Sequence, residues 1–270
     1  GGIVFVSSRG KRWVNCWLRQ VATLHRCDGD GRNVRQLSAN LEQDNTPWVL
    51  PDGRLLYMRW EYVDRSQVDY HHLWSMNPDG TSQQVYYGNM YPGGVYIDAK
   101  PVPGTADVLM IDSGGHGANE HVGHVALVTS ARGPDDPSAK RRIPGAGGCH
   151  DPYPLDGTTF VVARDNQILL MDTQGKSVEL YRVPDDLARQ GVRVHEPRPL
   201  VARPREPVIP SRVTPGLANG RLLLDDVNVG RNMEGVAPGT VKKFLVMESL
   251  PKPINYTGGM DPLTYGGSFT

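Results

Sequence analysis

The sequence predicts an all-β fold, a β-propeller of five or six four-stranded blades, because a turn-and-strand motif recurs about every fifty residues. The motif is an Asp/Pro/Gly turn that leads into an apolar strand, and it occurs at 51–58, 103–110 and 155–162. A second series of turns follows the strand pairs, at Asp30-Gly31, Asp79-Gly80, Arg132-Gly133 and Gln174-Gly175. Two interleaved series in a constant order indicate a repeated supersecondary unit. Repeats of this length built from short strands are typical of propeller blades.

Apolar runs between the turn residues predict the individual strands. The clearest are at 55–60, 72–76, 108–112, 123–129, 160–163 and 167–171. We expect one propeller domain over 1–270, with blades at about 1–42 (completed by 261–270), 44–88, 95–145, 149–183 and 196–250.

The repeat loosens after the fourth blade. The segment 184–215 is rich in proline, which removes backbone donors and excludes a central strand. We therefore expect an extended crossing segment there, with a short helical turn at 185–190. Strands are predicted to return at 220–224, where the sequence echoes 53–57, and at 241–248 as the partner strand.

The two ends of the chain are informative together. The first predicted strand, at 3–6, occupies the second place in its unit, and 261–269 resembles the stretch that opens the fourth blade at 151–160. Two arrangements remain open. In one, a C-terminal inner strand joins the first blade, closes the ring and removes two exposed edges. In the other, the chain is an open fragment of a longer polypeptide.

The composition excludes several classes of protein. Basic and acidic residues balance at 29 each, so the basic surface typical of a nucleic-acid binder is not expected. The sequence has no continuous apolar run long enough for a membrane span. Cys16, Cys27 and Cys149 form no CxxC, CxxCH or zinc-ribbon pattern. One disulfide with a free thiol and three buried thiols both remain open.

Several stretches resemble known propeller families. The units at 28–37 and 51–57 resemble the repeats of TolB- and WD40-like propellers. Longer stretches resemble the propeller region of hydrazine synthase α-subunit-like proteins, at 60–65, 71–80, 151–155 and 239–244. This resemblance implies a propeller that is one part of a larger periplasmic or extracellular polypeptide. That family often carries c-type haem elsewhere, and with no CxxCH here the resemblance implies no haem attachment within this chain.

The histidine-rich stretch 112–124 is the first candidate site. Asp112, His116, His121 and His124 supply imidazole and carboxylate ligands of the kind that bind zinc or another divalent metal. Flanking glycines would let the loop wrap closely around an ion. The spacing matches no established ligand motif, so the alternative is a polar loop whose histidines only form hydrogen bonds.

A second candidate site lies where equivalent ends of neighbouring blades would meet. Blades arranged around an axis would bring polar and aromatic side chains together at one mouth of the channel, which is a common position for a ligand site. The residues expected there are Trp60, Glu61, His71, His72, His150 and Asp151. The alternative is that these side chains cap turns, form ion pairs and join blades.

The sequence thus predicts an extracytoplasmic binding or scaffold domain that holds a protein domain or a small ligand at one propeller face. One alternative is a metal-dependent lyase or hydrolase that uses the histidine-rich stretch, and another is a fragment of a haem redox enzyme. The sequence contains no Gly-x-Ser-x-Gly elbow, Walker loop or dinucleotide fingerprint. Catalytic residues therefore stay unassigned, and bound metal would separate the first two functions.

Overall fold

The computed structural model describes residues 2–14, 19–62, 65–66, 68–115, 121–230 and 232–247. This part of the chain forms fifteen β-strands, one short α-helix and two single-turn 3₁₀ helices, which confirms the all-β prediction. Within it, no helix has the length and apolar character to cross a membrane. Cys27 and Cys149 are buried free thiols, and Cys16 lies outside the described residues.

The first sheet, here called blade 1, has three strands in the order β1-β2-β3. They are β1 (Gly2–Ser7), β2 (Thr23–Asp28) and β3 (Arg35–Gln36), and both pairings are antiparallel. The residues expected to complete this blade, 261–270, lie outside the described residues. Ring closure by the C-terminus therefore stays a prediction.

Three groups of four antiparallel strands follow, and we call them blades 2, 3 and 4. Blade 2 comprises β4 (Asp44–Val49), β5 (Leu55–Trp60), β6 (His71–Met76) and β7 (Gln84–Tyr87). Blade 3 comprises β8 (Val95–Pro101), β9 (Asp107–Ser113), β10 (His124–Thr129) and β11 (Lys140–Arg142). Blade 4 comprises β12 (Cys149–Pro154), β13 (Thr159–Arg164), β14 (Gln167–Asp172) and β15 (Ser177–Arg182). One parallel pair, His71 with Val95, joins blades 2 and 3 at the first residues of β6 and β8.

The predicted helical turn after blade 4 is observed as α1 (Asp185–Arg189). The strands predicted at 220–224 and 241–248 were wrong for the residues that the structure describes, since none of 220–224 or 241–247 is in a strand. Leu223 is 97% exposed and Leu245 is 76% exposed. An apolar run becomes a strand only where a sheet edge and a buried face are available, and these residues have neither. The wider assignment of 196–250 to a fifth blade stays a prediction.

The core lies between neighbouring blades. Leu24 of blade 1 packs with Leu55 and Tyr57 of blade 2 in one buried cluster. The largest cluster joins strands of blades 2, 3 and 4, among them Met58, Ile111 and Phe160. Since the middle strands bury side chains on both faces, they read as nearly continuous apolar runs rather than as alternating ones.

Glycine is required in the second series of turns for two separate reasons. Gly31, Gly80, Gly133 and Gly175 have φ of 84°, 88°, 86° and 87°, in the left-handed region that glycine favours. A Cβ on Gly80 would lie 2.7 Å from the main-chain oxygen of Leu37, at the end of blade 1. A Cβ on Gly175 would overlap the main-chain oxygen of Pro144, which follows blade 3. The turns at Gly80 and Gly175 are therefore seated against the preceding blade.

His72 joins blade 2 to blade 3. Its ring stacks on Tyr96, with 4.7 Å between the ring centroids. Nε2 lies 3.0 Å from the main-chain oxygen of Gly93, so this nitrogen carries the proton and donates it. Burial lowers the pKa of His72 to about 4, because the imidazolium form loses its hydration in this contact.

We expect Gly175→Ala to destabilise the fold much more than Gly133→Ala. Both residues have a left-handed φ, which costs about 1–2 kcal/mol for alanine. Nothing lies within 4 Å of a Cβ on Gly133, whereas the Gly175 variant must also displace Pro144, for about 1–3 kcal/mol more. Urea unfolding followed by circular dichroism gives both free energies. Equal losses would contradict the seating of turns against the preceding blade.

The stability of the protein should fall as the pH drops from about 6.5 to about 4, in part because of His72. The unfolded chain takes up this proton first, so the free energy of unfolding decreases by up to about 3 kcal/mol over that interval. His72→Phe keeps an aromatic ring against Tyr96 and removes the titration. Urea unfolding between pH 7.5 and pH 4.5 should show a shallower pH slope for the variant. Identical slopes would assign the acid sensitivity to other groups.

Candidate functional site

The first strands of blades 2, 3 and 4 carry the same irregularity at the same place. β8 contacts both β4 and β12, so these three strands lie side by side at the centre of the described blades. Each has a register shift, and within it Thr46, Asp98 and Asp151 adopt φ of 49°, 57° and 53°. Such bulges redirect a side chain out of the strand. Three consecutive blades thus turn a polar side chain toward a common centre.

The proline-rich crossing segment adds a fourth residue of this kind. Glu196 has φ of 47°, and His195-Glu196-Pro197 repeats the sequence pattern of His150-Asp151-Pro152. The backbone N–H of Glu196 donates to Oδ2 of Asp151 over 3.1 Å. In the same manner, the N–H of Asp98 donates to Oγ1 of Thr46 over 3.2 Å. In both places, the backbone N–H of a residue with left-handed φ therefore donates to a side-chain oxygen of another residue with left-handed φ.

These residues form a group that we call the axial cluster, which consists of Asp98, His150, Asp151, His195 and Glu196. One oxygen from each of the three carboxylates lies within 4.8 Å of the others, and the same limit holds for the ligand atoms of His150, Asp151 and His195. Oδ2 of Asp151 lies 2.9 Å from Nδ1 of His150 and 3.5 Å from Nδ1 of His195. The cluster has the donor atoms of a cation site.

The surroundings of the cluster shift the pKa of Asp151 and that of the neighbouring Lys100. Burial works against ionisation of Asp151, but hydrogen bonds from His150 and from the Glu196 N–H outweigh it and lower the pKa of Asp151 to about 2. Burial lowers the pKa of Lys100, partly opposed by the negative charges of Asp98 and Glu196. The Lys100 ammonium donates to the main-chain oxygen of Asp98 over 3.3 Å. Asp151 is thus an anion across the whole physiological pH range.

A cleft of about 600 Å³ opens at the C-terminal ends of β4, β8 and β12, and we call it the channel cleft. Trp48 and Tyr153 meet edge to face in its wall, with 5.9 Å between ring centroids. Three cations surround the Trp48 ring: Lys100 at 5.3 Å, Arg198 at 5.1 Å and Arg203 at 5.3 Å from its centroid. The crossing segment at 199–207 forms the remaining wall, which includes Pro199, Pro204 and Pro207.

The residues predicted to bind metal in the histidine-rich stretch lie in different surroundings. The Asp112 carboxylate accepts from Lys140 and Arg142, both at 2.8 Å; burial raises its pKa, but these two cations bring it below its usual value. Nδ1 of His121 lies 3.9 Å from Oδ2 of Asp98, and His124 is exposed. Within the described residues, the clusters with metal-binding spacing include none of these three side chains. His116 lies outside the described residues, so this metal site stays a prediction.

The residues predicted to bind a ligand divide into two groups. His150 and Asp151 lie together in the axial cluster, whereas His71 stacks on Trp60 with 5.0 Å between centroids. Burial raises the pKa of Glu61, against the opposing effect of Arg65, with which it forms an ion pair of 2.8 Å. The pairs His71–Trp60 and Glu61–Arg65 thus contribute to packing around β5 and β6, as does His72 by its contact with blade 3. Ligand binding by Trp60, Glu61, His71 and His72 stays a prediction.

Sequence reasoning missed Asp98, Lys100, His195 and Glu196. The signal for the last two was present, because His195-Glu196-Pro197 repeats His150-Asp151-Pro152. Asp98 and Lys100 are surrounded by apolar residues of β8, and only the bulge reveals that they face the centre.

No family model and no curated protein matches this sequence. Among solved structures, hydrazine synthase from Kuenenia stuttgartiensis is similar with 20% identity and a TM-score of 0.57, over 68% of this chain and 28% of that chain. TolB from Acinetobacter baumannii is 16% identical, with a TM-score of 0.48 over 67% of this chain and 41% of that chain. A gluconolactonase from Xanthomonas campestris is 15% identical, with a TM-score of 0.42 over 60% of this chain and 56% of that chain.

The chain therefore spans little more than a quarter of the hydrazine synthase chain that it matches. At this level of identity the likeness concerns the fold alone. Together with the antiparallel four-stranded groups, it shows that this protein has a β-propeller type of architecture.

Proposed function

We propose that this protein is an extracytoplasmic β-propeller domain that binds a small anionic ligand with an apolar body in the channel cleft. The observation that carries the proposal is the Trp48 ring, which forms the cleft wall with Tyr153 and has three cations within 5.3 Å of its centroid. Small-molecule sites are typically concave and apolar with a few placed polar groups, and the channel cleft has this composition.

The charges of the cleft favour an anion. Lys100, Arg203 and Arg205 line it, and Glu206 is the acidic side chain of the described lining. Arg203 lies 4.0 Å from Glu206, a loose ion pair that leaves most of its donors available. The ammonium of Lys100 donates to a main-chain oxygen rather than to a carboxylate. A ligand carboxylate, sulfonate or phosphate would therefore meet an excess of positive charge.

The apolar part of the ligand would contact the apolar side chains of the cleft wall. Proline, aromatic and aliphatic side chains make up most of the wall, and two of the prolines, Pro101 and Pro103, flank Val102. Aromatic and proline surfaces are rigid, so a ligand ring that packs against them loses little side-chain entropy.

The wider frame of the proposal comes from the resemblance to hydrazine synthase α-subunit-like proteins. It includes a periplasmic or extracellular location, five or six blades within one domain over 1–270, and closure of the ring by the C-terminal residues. A protein domain, rather than a small ligand, is the alternative partner at the same propeller face. The metal-dependent lyase or hydrolase is kept as a second candidate because the axial cluster gathers carboxylates and imidazoles.

The proposal predicts charge-dependent binding of a fluorescent probe. The sulfonate dye 8-anilinonaphthalene-1-sulfonate should bind saturably, whereas its neutral analogue N-phenyl-1-naphthylamine should bind less tightly. Arg203→Ala should weaken sulfonate binding about fivefold, equivalent to loss of one charge-assisted contact, and leave the neutral dye within about twofold. Trp48→Leu should weaken both dyes, because it removes the shared ring surface.

The matched control is Arg221→Ala, which removes an exposed cation that does not line the cleft. Fluorescence titration measures all of these affinities. Equal effects of Arg221→Ala and Arg203→Ala would show that general charge attraction explains the binding. Unchanged affinities in Trp48→Leu would place the dye elsewhere and overturn the proposal.

A further inference from the structure

The axial cluster brings three carboxylates together, and the described protein groups leave Oδ2 of Asp98 without a hydrogen bond. Asp98 is 5% exposed and Asp151 is 8% exposed, and Glu196 completes the group within 4.8 Å. Glu196 is exposed, whereas the Asp98 and Asp151 carboxylates are poorly hydrated, and like charges this close repel one another strongly when they are buried. Such an arrangement persists where a cation offsets the repulsion or where some of the carboxyls are protonated.

Asp98 provides the most specific evidence. Its side chain is 4% exposed, and its Oδ2 is buried without a hydrogen-bond partner. The nearest basic nitrogen to Oδ2 in an ion pair is Nδ1 of His121, at 3.9 Å, which is beyond hydrogen-bond length. A buried carboxylate oxygen without a donor is costly unless something else binds it. A carboxylate oxygen of this same residue lies within 4.8 Å of ligand oxygens of Asp151 and Glu196.

Lys100 is the obvious internal counter-ion, and its geometry does not fill this role. Its ammonium donates to the main-chain oxygen of Asp98 and lies 5.3 Å from the centroid of Trp48, on the side of the channel cleft. It leaves Oδ2 of Asp98 without a donor. Arg198 forms an ion pair with Oε2 of Glu196, so Glu196 has its own counter-ion. Oδ2 of Asp98 still receives no hydrogen bond.

We infer that the axial cluster binds a divalent cation, with carboxylate oxygens of Asp98, Asp151 and Glu196 as its ligands. Three carboxylates are a hard, anionic donor set, which suits Mg²⁺, Ca²⁺ or Mn²⁺. His150 donates to Oδ2 of Asp151 over 2.9 Å and thereby orients that carboxylate, as neighbours of metal ligands commonly do. This inference does not depend on what occupies the channel cleft.

The backbone holds the ligands in place before the cation arrives. All three ligand residues have left-handed φ, at 57°, 53° and 47°, a conformation that is uncommon outside glycine. The N–H of Asp98 is held by Thr46, and the N–H of Glu196 is held by Asp151. Ligands on backbone that is anchored in this way have little freedom to lose when they coordinate a cation.

The test uses Mn²⁺ as the probe and the full chain, freed of metal by a chelator. Electron paramagnetic resonance of free Mn²⁺ gives the stoichiometry and affinity, and thermal denaturation gives the stability with and without the ion. We expect one Mn²⁺ per chain and a higher Tm in its presence, since a ligand of the folded state stabilises it. Asp98→Asn and Glu196→Gln should each weaken the affinity at least tenfold.

The same variants distinguish a cation site from a purely structural cluster. Asn tolerates the left-handed backbone, so Asp98→Asn should fold, and it removes one of the repelling charges. In chelator its Tm should equal or exceed that of the natural sequence, and in Mn²⁺ it should fall below it. Asp186→Asn, on the exposed first turn of α1, is the matched control and should change neither value.

Three results would overturn the inference. One is failure of the natural protein to bind Mn²⁺, Ca²⁺ or Mg²⁺ at millimolar concentration. Another is an equal loss of Tm in Asp98→Asn with and without Mn²⁺, which would make the cluster structural. The third is Mn²⁺ binding that survives Asp98→Asn and is lost in His121→Ala/His124→Ala, which would place the ion in the histidine-rich stretch. Mn²⁺ binding that persists in Trp48→Leu would keep this site separate from the cleft.

Discussion

The structure depends on the burial of both faces of each central sheet. A four-stranded sheet with two apolar faces is unstable alone, so each blade needs a neighbour on either side. The buried clusters accordingly combine side chains from adjacent blades, such as Leu24 with Tyr57 and Ile111 with Phe160. Since every blade is placed by its neighbours, the first strands of successive blades are brought to a common centre. The polar side chains on the bulges of these strands are grouped together as a result.

The centre has two chemically different regions that share one residue. Carboxylates and imidazoles gather at the bulges, while aromatic, proline and cationic side chains line the channel cleft at the strand ends. Lys100 lies between them, because its ammonium contacts both the Asp98 main-chain oxygen and the Trp48 ring. A change in the charge of the cluster would therefore alter the positive field that a ligand in the cleft experiences.

The crossing segment shows how a repeated sequence pattern can supply a residue to the axial cluster without forming a blade. Residues 195–197 repeat the inner-strand pattern of 150–152, and Glu196 adopts the same left-handed φ as Asp151. No strand follows among the described residues 196–230 and 232–247. The segment nevertheless brings Glu196 and the wall at 199–207 to the centre, because the hydrogen bond to Asp151 fixes its position.

The sequence by itself determined the repeat, the all-β class and the position of the turns, because these depend on local periodicity and on glycine at left-handed turn positions such as Gly80 and Gly175. It also indicated His150 and Asp151, whose motif lies beside a turn. Only the tertiary structure decided that Asp112 is neutralised by Lys140 and Arg142, and that Asp98 faces the centre. It also showed no strand at 220–224, despite the apolar run. These outcomes depend on partners that are distant in the chain and on a sheet edge being available, which no local pattern encodes.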